Sequence, residues 1–363
     1  MSNLAVIFGG QTAEHSISIM TALDVMKNLS AKNNIIPIYI DTKGNWWTGE
    51  HLSNIEEYKV EPTGKKCFFV PNEQCLMIKT GILNKKINID CAVLALHGGM
   101  YEGGAVQSVL QLSHIPYTSP SLIGSGICMD KVISKLIFKS LSVLTPNFVW
   151  DSIDNKDLLC SNATSKLNFP LIVKPARSGS SVGITKVDNV EDLEQAIDYA
   201  SLFDDKILVE EYLDGFREIN IALIKDKDEI KFSTIEEVKV AHDIYSFDDK
   251  YSQNSTSERI IPADLGLKIR DRIYNISQKV YNTLELSGVV RFDFFVVENK
   301  VFLNEINTIP GNFAAYLWRK EGITFGHLLN IAIRNACSKK ENLGPAVFDP
   351  KIIMSFDNVK GKK

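Results

Sequence analysis

The first thirty residues constrain this fold more than any other stretch of the chain. Leu4-Ala5-Val6-Ile7-Phe8 is an unbroken apolar run that ends in Gly9-Gly10, and Thr12 to Leu29 then carries Ile17, Met20, Leu23, Met26 and Leu29 at helical spacing. That pattern reads as a strand, a tight glycine turn and a helix. Further strands are expected at Ile35 to Ile40 and at Ile89 to Leu96, the second running into His97-Gly98-Gly99. The first 120 or so residues therefore read as a βαβ layer with a parallel sheet, and ligands favour the carboxyl ends of such strands.

A chain of 363 residues exceeds one ordinary compact core, so two or three parts around a shared cleft are expected. The net charge of -4 provides no basic field for nucleic acid. Apolar runs such as Ile89 to Leu96 are strand-sized, far short of the roughly 20 residues that span a bilayer. Met1 to Gly10 reads as a strand rather than a leader, because no basic region precedes its apolar part. A cytoplasmic protein with no membrane or nucleic-acid partner is expected. Cys67, Cys75, Cys91, Cys128, Cys160 and Cys337 have no CxxC spacing and read as reduced structural residues.

Past the first layer, a helix is expected over Cys128 to Ser142. Two strands, Phe169 to Pro175 and Val182 to Val187, flank a glycine loop and suggest a small separate lobe. The last part mixes strands at Ile207 to Glu211, Glu218 to Ile224, Val289 to Val297 and Val301 to Asn307 with a helix over Leu265 to Leu286. Between them, His242 to Arg259 is polar, free of glycine and without a period, which reads as an active-site lid.

Three features carry chemistry. The loop Ala176-Arg177-Ser178-Gly179-Ser180-Ser181-Val182-Gly183 offers small side chains and consecutive backbone N–H groups suited to phosphate oxygens, although most such hairpins are plain surface turns and the pattern GxxxxGK[ST] is absent. Lys174 sits in an apolar strand just before it, where an unpaired ammonium is costly and a phosphate would compensate. Arg291 and Asp293 share one strand face, as do Glu305 and Asn307. A hairpin through Glu298-Asn299-Lys300 would bring two carboxylates and a carboxamide together, a set of hard oxygen ligands suited to Mg²⁺. The bland reading is a solvated face of an edge hairpin. His97 reads equally as a satisfied core histidine or a substrate contact. Glu14 at a helix start gains from the dipole without any function, and Lys131 and Lys135, one turn apart, are by default a solvated stripe.

Taken in order, Phe8 to His15, Leu96-His97-Gly98, Met129-Asp130-Lys131, Phe169 to Pro175, Ser178 to Gly183, Val209 to Leu213, Lys250-Tyr251 and Asn304 to Gly311 resemble the motifs of the D-alanine–D-alanine ligases, from residue 4 to about 337. The resemblance implies the ATP-grasp fold: an α/β chain with an N-terminal parallel βαβ substrate-binding domain (1–122), a central ATP-grasp lobe (123–209) and a C-terminal catalytic lobe with an extra tail (210–363). It implies that Lys131, Lys174, Ser180 and Ser181 meet the ATP phosphates, Glu210 and Leu213 the adenine, and Glu218 the ribose. Asp293, Glu305 and Asn307 would hold two Mg²⁺ or Mn²⁺ ions. Glu14 would bind the first substrate's ammonium and, with Ser180 and Tyr251, tie down the lid. Arg291 and the Gly311 N–H would serve as oxyanion donors, while His97, Lys250, Tyr316 and Leu317 would contact substrate.

The activity so implied is D-alanyl-D-alanine formation from amino acids through an acyl phosphate, for peptidoglycan precursor and cell-wall synthesis, by a homodimer. ATP makes a poor electrophile into a good one, and a lid keeps water from the acyl phosphate. The chain departs from the family after His97-Gly98, with Tyr101-Glu102-Gly103-Gly104. It departs again after Pro310-Gly311, where Asn312 to Leu317 replaces small hydroxyl residues expected at the acceptor. An ATP-grasp ligase with a different acceptor (D-serine, D-lactate or another amino acid) and a non-catalytic nucleotide-binding homologue are the alternatives.

Overall fold

The computed structural model describes residues 2–239, 258–339, 348–351, 353 and 355. Lys250, Tyr251 and all of the expected lid except Glu258 and Arg259 lie outside the described residues. Strands β1 (Asn3–Gly9), β2 (Asn34–Ile40), β3 (Trp46–Thr48), β4 (Lys65–Val70), β5 (Glu73–Thr80), β6 (Leu83–Asn88) and β7 (Cys91–Ala95) form one sheet in the order β6-β5-β4-β3-β2-β1-β7. Only β2, β1 and β7 pair in parallel, with β1 between the other two. The expected parallel layer is thus the core of a mixed sheet. β3 to β6 extend it as antiparallel pairs, and β6, almost wholly exposed, has no apolar run to announce it in sequence.

The first helix, His15–Asn28, follows β1 as expected, but its inward stripe is shifted. Ser18, Thr21, Ala22, Val25 and Met26 are buried, while Met20 is 64% exposed. Hydrogen bonding explains the shift. Ser18 Oγ donates to Ala95 O at 2.6 Å and accepts from Gly9 N at 2.7 Å, so a polar residue satisfies two strand ends. Ile17 and Met20 are left to line a cleft. Val25 and Met26 pack with Val6, Phe8, Val93 and the C-terminal helix Phe325–Ser338 on one face of the sheet. Ile7, Ile38 and Leu94 pack with Val106 and Leu110 on the other.

A second, antiparallel sheet, in the order β10-β9-β11-β8, comprises β8 (Phe148–Ser152), β9 (Leu171–Pro175), β10 (Thr185–Val187) and β11 (Lys206–Glu211). Helices Lys156–Lys166 and Val190–Ser201 cover its apolar face. The third sheet runs β15 (Glu258–Ile260), β14 (Glu236–Lys239), β12 (Arg217–Asp226), β16 (Val290–Val297), β17 (Lys300–Asn307), with β13 (Glu229–Phe232) beside β12. Helix Leu267–Thr283 packs Ile273 and Val280 against Phe292, Phe294 and Leu303.

The helix expected from Cys128 is two helices, Leu122–Met129 and Lys131–Ser140. Asp130 separates them with extended backbone, and its carboxylate accepts from Val132 N and Ile133 N at 3.0 Å each. Such a cap stabilises a helix start by about 1 kcal/mol, and it begins the second helix at Lys131. All six cysteines are free of disulfides. No helix among the described residues is long and apolar enough to cross a membrane.

Candidate active site

A cleft of about 860 Å³ lies between the second and third sheets and is closed at one end by the start of the first helix. The hairpin β16–β17 supplies its charged floor. Asp293 pairs across the strands with Glu305, and Arg291 with Asn307, so the expected convergence is present. Phe292 and Phe294, on the opposite face, are buried in the core. Arg291 grips Asp293 with two bonds of 2.7 Å, and Asn307 Nδ2 donates to the same carboxylate at 2.8 Å. Burial works against the Arg291 charge, but Asp293 holds its pKa well above the usual range. The register shifts beside Asp293, so Asn304 is an extra residue on β17 that also reaches the cleft; its Oδ1 is buried without a hydrogen-bond partner.

At the other end of the cleft, Lys174 on β9 and Glu210 on β11 form a buried ion pair. Lys135 flanks Glu210 at 3.0 Å and donates to Thr145 Oγ1 at 2.9 Å. Although burial opposes the Glu210 charge, Lys135 and Lys174 hold its carboxyl below the ordinary value. Burial pulls Lys135 down to about 8. Lys131 donates to Ser178 O at 2.6 Å and lies 3.7 Å from Glu305. Lys131 and Lys135 are therefore interior groups, and the solvated-stripe reading is wrong. Their helix buries both lysines together with Val132 and Phe138, and sequence spacing alone does not say which stripe faces in.

Leu213, Glu218, Phe216 and Phe295 line the same end, and the two phenylalanine rings pack with centroids 4.4 Å apart. Ser180 and Ser181, in the loop between β9 and β10, adopt φ of 50° and 59°, a left-handed conformation costly for side-chain-bearing residues.

Glu14 does not cap its helix. Its carboxylate accepts a hydrogen bond from Ser180 Oγ and lies so close to Gly98 and Gly179 that a methyl at either would strike it. His97 is buried, donates from Nδ1 to Ile309 O at 2.9 Å and accepts at Nε2 from Thr21 Oγ1 at 2.9 Å, the tautomer those partners require. Burial lowers its pKa. Of the two readings of His97, the satisfied histidine describes its ring nitrogens, although the ring also borders the cleft.

Gly311 opens onto the cleft, where a Cβ would meet no protein atom within 4 Å. The three residues after it are left-handed, with φ of 47°, 53° and 49° at Asn312, Phe313 and Ala314. Tyr316 borders the cleft and donates its hydroxyl to the buried Glu236, while Arg259 stacks 4.9 Å over its ring and reaches Glu236 at 3.3 Å. Glu236 went unnoticed in the sequence because no motif marks it, and Arg259 figured there only as the last residue of the expected lid. Leu317 is not brought in: its side chain is fully buried beside Phe313 and Trp318. Tyr101 also faces away, packing over Gly10 and donating to Gln11 Oε1 at 3.2 Å.

Family models for the D-ala D-ala ligase N-terminus and C-terminus match residues 3–120 and 143–334. The chain belongs to the D-alanine–D-alanine ligase family. A D-alanine–D-alanine ligase of Thermosipho melanesiensis is 36% identical over 98% of this chain and 97% of its own length, which leaves most of the stretch after residue 334 inside the match. The VanG D-Ala:D-Ser ligase of Enterococcus faecalis superposes with a TM-score of 0.80 at 27% identity, over 92% of this chain and 99% of its own. The D-alanine–D-alanine ligase of Bacillus anthracis complexed with ATP gives 0.67 at 26%, over 93% and 97%. The fold of this family member is the ATP-grasp fold.

Proposed function

We propose that this chain joins two D-alanines in an ATP-dependent reaction through an acyl phosphate, and that it supplies peptidoglycan precursor in the cytoplasm. The observation that carries this reading is the meeting of Glu14 and Ser180 in one cleft with Lys174, Asp293, Glu305 and Arg291. A nucleotide-binding homologue without catalysis has no use for an arginine and an unobstructed glycine lining the same cleft as the paired acids. Incubation with ATP and a panel of amino acids, with products read by mass, tests it; absence of D-alanyl-D-alanine together with free ADP formation would sink it.

In this reading, Lys131 and Lys174 face the phosphates, Ser180 and Ser181 close over them, and Leu213, Phe216 and Phe295 sandwich the base, with Glu210 at its edge and Glu218 at the ribose. Glu14 takes the donor's ammonium. Asp293, Glu305 and Asn307 would hold Mg²⁺ or Mn²⁺. Among the described residues no three His, Cys, Asp or Glu side chains gather as a metal site, so the set is two carboxylates and a carboxamide, completed by phosphate oxygens. The orphaned Asn304 Oδ1 suits the same hard-ligand surroundings. A bound metal would offset charge on the transferred phosphoryl group.

The donor carboxylate attacks the terminal phosphate of ATP and ADP leaves. The acceptor amine, having lost its ammonium proton to solvent, then attacks the acyl carbon, and the tetrahedral adduct collapses to the amide as inorganic phosphate leaves and the second amine proton is lost. Arg291 and the Gly311 N–H stabilise the oxyanion that forms there. Lys250 and Tyr251 would contact substrate and help close the site against water. The division at 122 and 209, and a homodimer, belong to the same proposal.

D-alanine is the acceptor this reading assigns, and Tyr316 borders its pocket. Its proton is committed to Glu236, so Tyr316→Phe removes a partner of a buried carboxylate rather than a free hydroxyl. The variant is expected to raise the acceptor KM roughly tenfold, the scale of one hydrogen bond to a charged group, with the ATP KM unchanged. An unaltered acceptor KM in steady-state kinetics would remove Tyr316 from the pocket.

A further inference from the structure

Glu102 lines the cleft but has been assigned no role above; it is buried at 8% exposure and both of its carboxylate oxygens are hydrogen-bonded. Its Oε2 accepts from Gly98 N at 3.0 Å. Its Oε1 accepts from Thr308 N at 3.1 Å, Thr308 Oγ1 at 3.0 Å and Ile309 N at 3.1 Å. One side chain thus ties together two loops more than 200 residues apart in sequence. The first loop is the one against which the Glu14 carboxylate packs at Gly98. The second leads through Pro310 into Gly311 and the three left-handed residues after it.

His97 spans the same two loops, with Nδ1–H on Ile309 O, and Thr21 continues the chain of bonds by accepting from Asn312 N at 3.3 Å. Carbonyl and imidazole links of this kind fix spacing along one direction. The carboxylate adds the second anchor, because its two oxygens accept from opposite sides at a fixed separation. All four of its donors are N–H or O–H groups, so no neutral isostere satisfies them together.

We infer that Glu102 is a positioning residue for ligation, a carboxylate clamp that sets the distance between Glu14, where the donor's ammonium binds, and the Gly311 N–H, where the oxyanion forms. This rests on the function proposed above. A misplacement of about 1 Å at the reacting groups costs on the order of a hundredfold in rate, so the clamp acts on turnover rather than on nucleotide affinity.

The test uses Glu102→Gln, in which one oxygen becomes an amide that meets a backbone N–H donor to donor, and Thr308→Val, which deletes a single donor to the clamp. Full-length variants are assayed for D-alanine ligation, ATP KM, melting temperature and amide hydrogen exchange of peptides spanning 96–104 and 305–312. The expected result for Glu102→Gln is a fall in kcat of about 10²-fold with the ATP KM held within about twofold. Protection should be lost in both peptides together. Thr308→Val should show the same pattern at roughly a tenth of that severity, and should do so even if Glu102→Gln fails to fold. Wild-type kcat in Thr308→Val, or exchange that rises in one loop alone, would overturn the inference. A wild-type protein inert toward D-alanine would refute the proposed reaction instead, and hydrogen exchange would still decide whether the clamp exists.

Discussion

Replacing Glu305 by Gln is expected to lower metal-dependent phosphate release by roughly 10²- to 10³-fold, the scale on which losing one preorganised partner of a developing charge reduces kcat. Glu305 stands opposite Asp293 and 3.7 Å from Lys131, so the substitution removes a negative charge that would hold the proposed cation and that lies beside Lys131. Gln has the same shape, and the side chain at this position is 27% exposed, so the melting temperature should hardly move. Chelating divalent metal from the wild-type protein should reproduce the loss, and Mn²⁺ should restore it. A Glu305→Gln protein that hydrolyses ATP at the wild-type rate, or a wild-type protein indifferent to chelation, would remove the hairpin from the chemistry.

Arg291→Gln is the second substitution with a large expected effect, and it should act on two quantities at once. The guanidinium makes two bonds to Asp293, so its loss takes the paired charge away from a carboxylate at 4% exposure. Breaking a buried pair from one side typically costs about 3 to 5 kcal/mol, which thermal unfolding would register as a clear drop. Turnover should fall roughly 10²- to 10³-fold as the proposed oxyanion donor disappears. Arg291→Lys separates the two effects. It keeps a charge near Asp293 and recovers stability, but a single ammonium cannot reproduce the planar two-pronged grip, so turnover should stay low. Full activity in the Lys variant would show that Arg291 serves Asp293 and nothing else.

Local patterns made much of this legible in the sequence. The strand, glycine pair and helix at the start, the glycine loop after Lys174 and the facing acids of β16 and β17 all declare themselves through spacing and end up where that spacing places them. What stayed hidden depends on contacts between distant segments. Lys135 reads as surface until Glu210, 75 residues later, turns out to share its burial. Glu102 is one acid among many until Thr308 and Ile309 point their donors at it. The stripe of the first helix misleads for a related reason: Ser18 and Thr21 face the sheet because strand ends and His97 need partners, a demand that a hydropathy pattern does not record.

The extra residue at Asn304 bears on how this hairpin can change over generations. Side chains along a strand alternate with a period of two, so the bulge is what lets Leu303 and Ile306 reach the core while Glu305 and Asn307 turn toward the cleft. Deleting that single residue would make Leu303 and Glu305 neighbours, whose faces already alternate, so an unbroken ladder would form with Val301, Leu303 and Ile306 still inward and Glu305 and Asn307 still toward the cleft. A one-residue loss at any other position of β17 would exchange the faces on one side of it, so in descendants of this chain single deletions in this strand should be confined to the bulge at Asn304 even where the neighbouring turns vary.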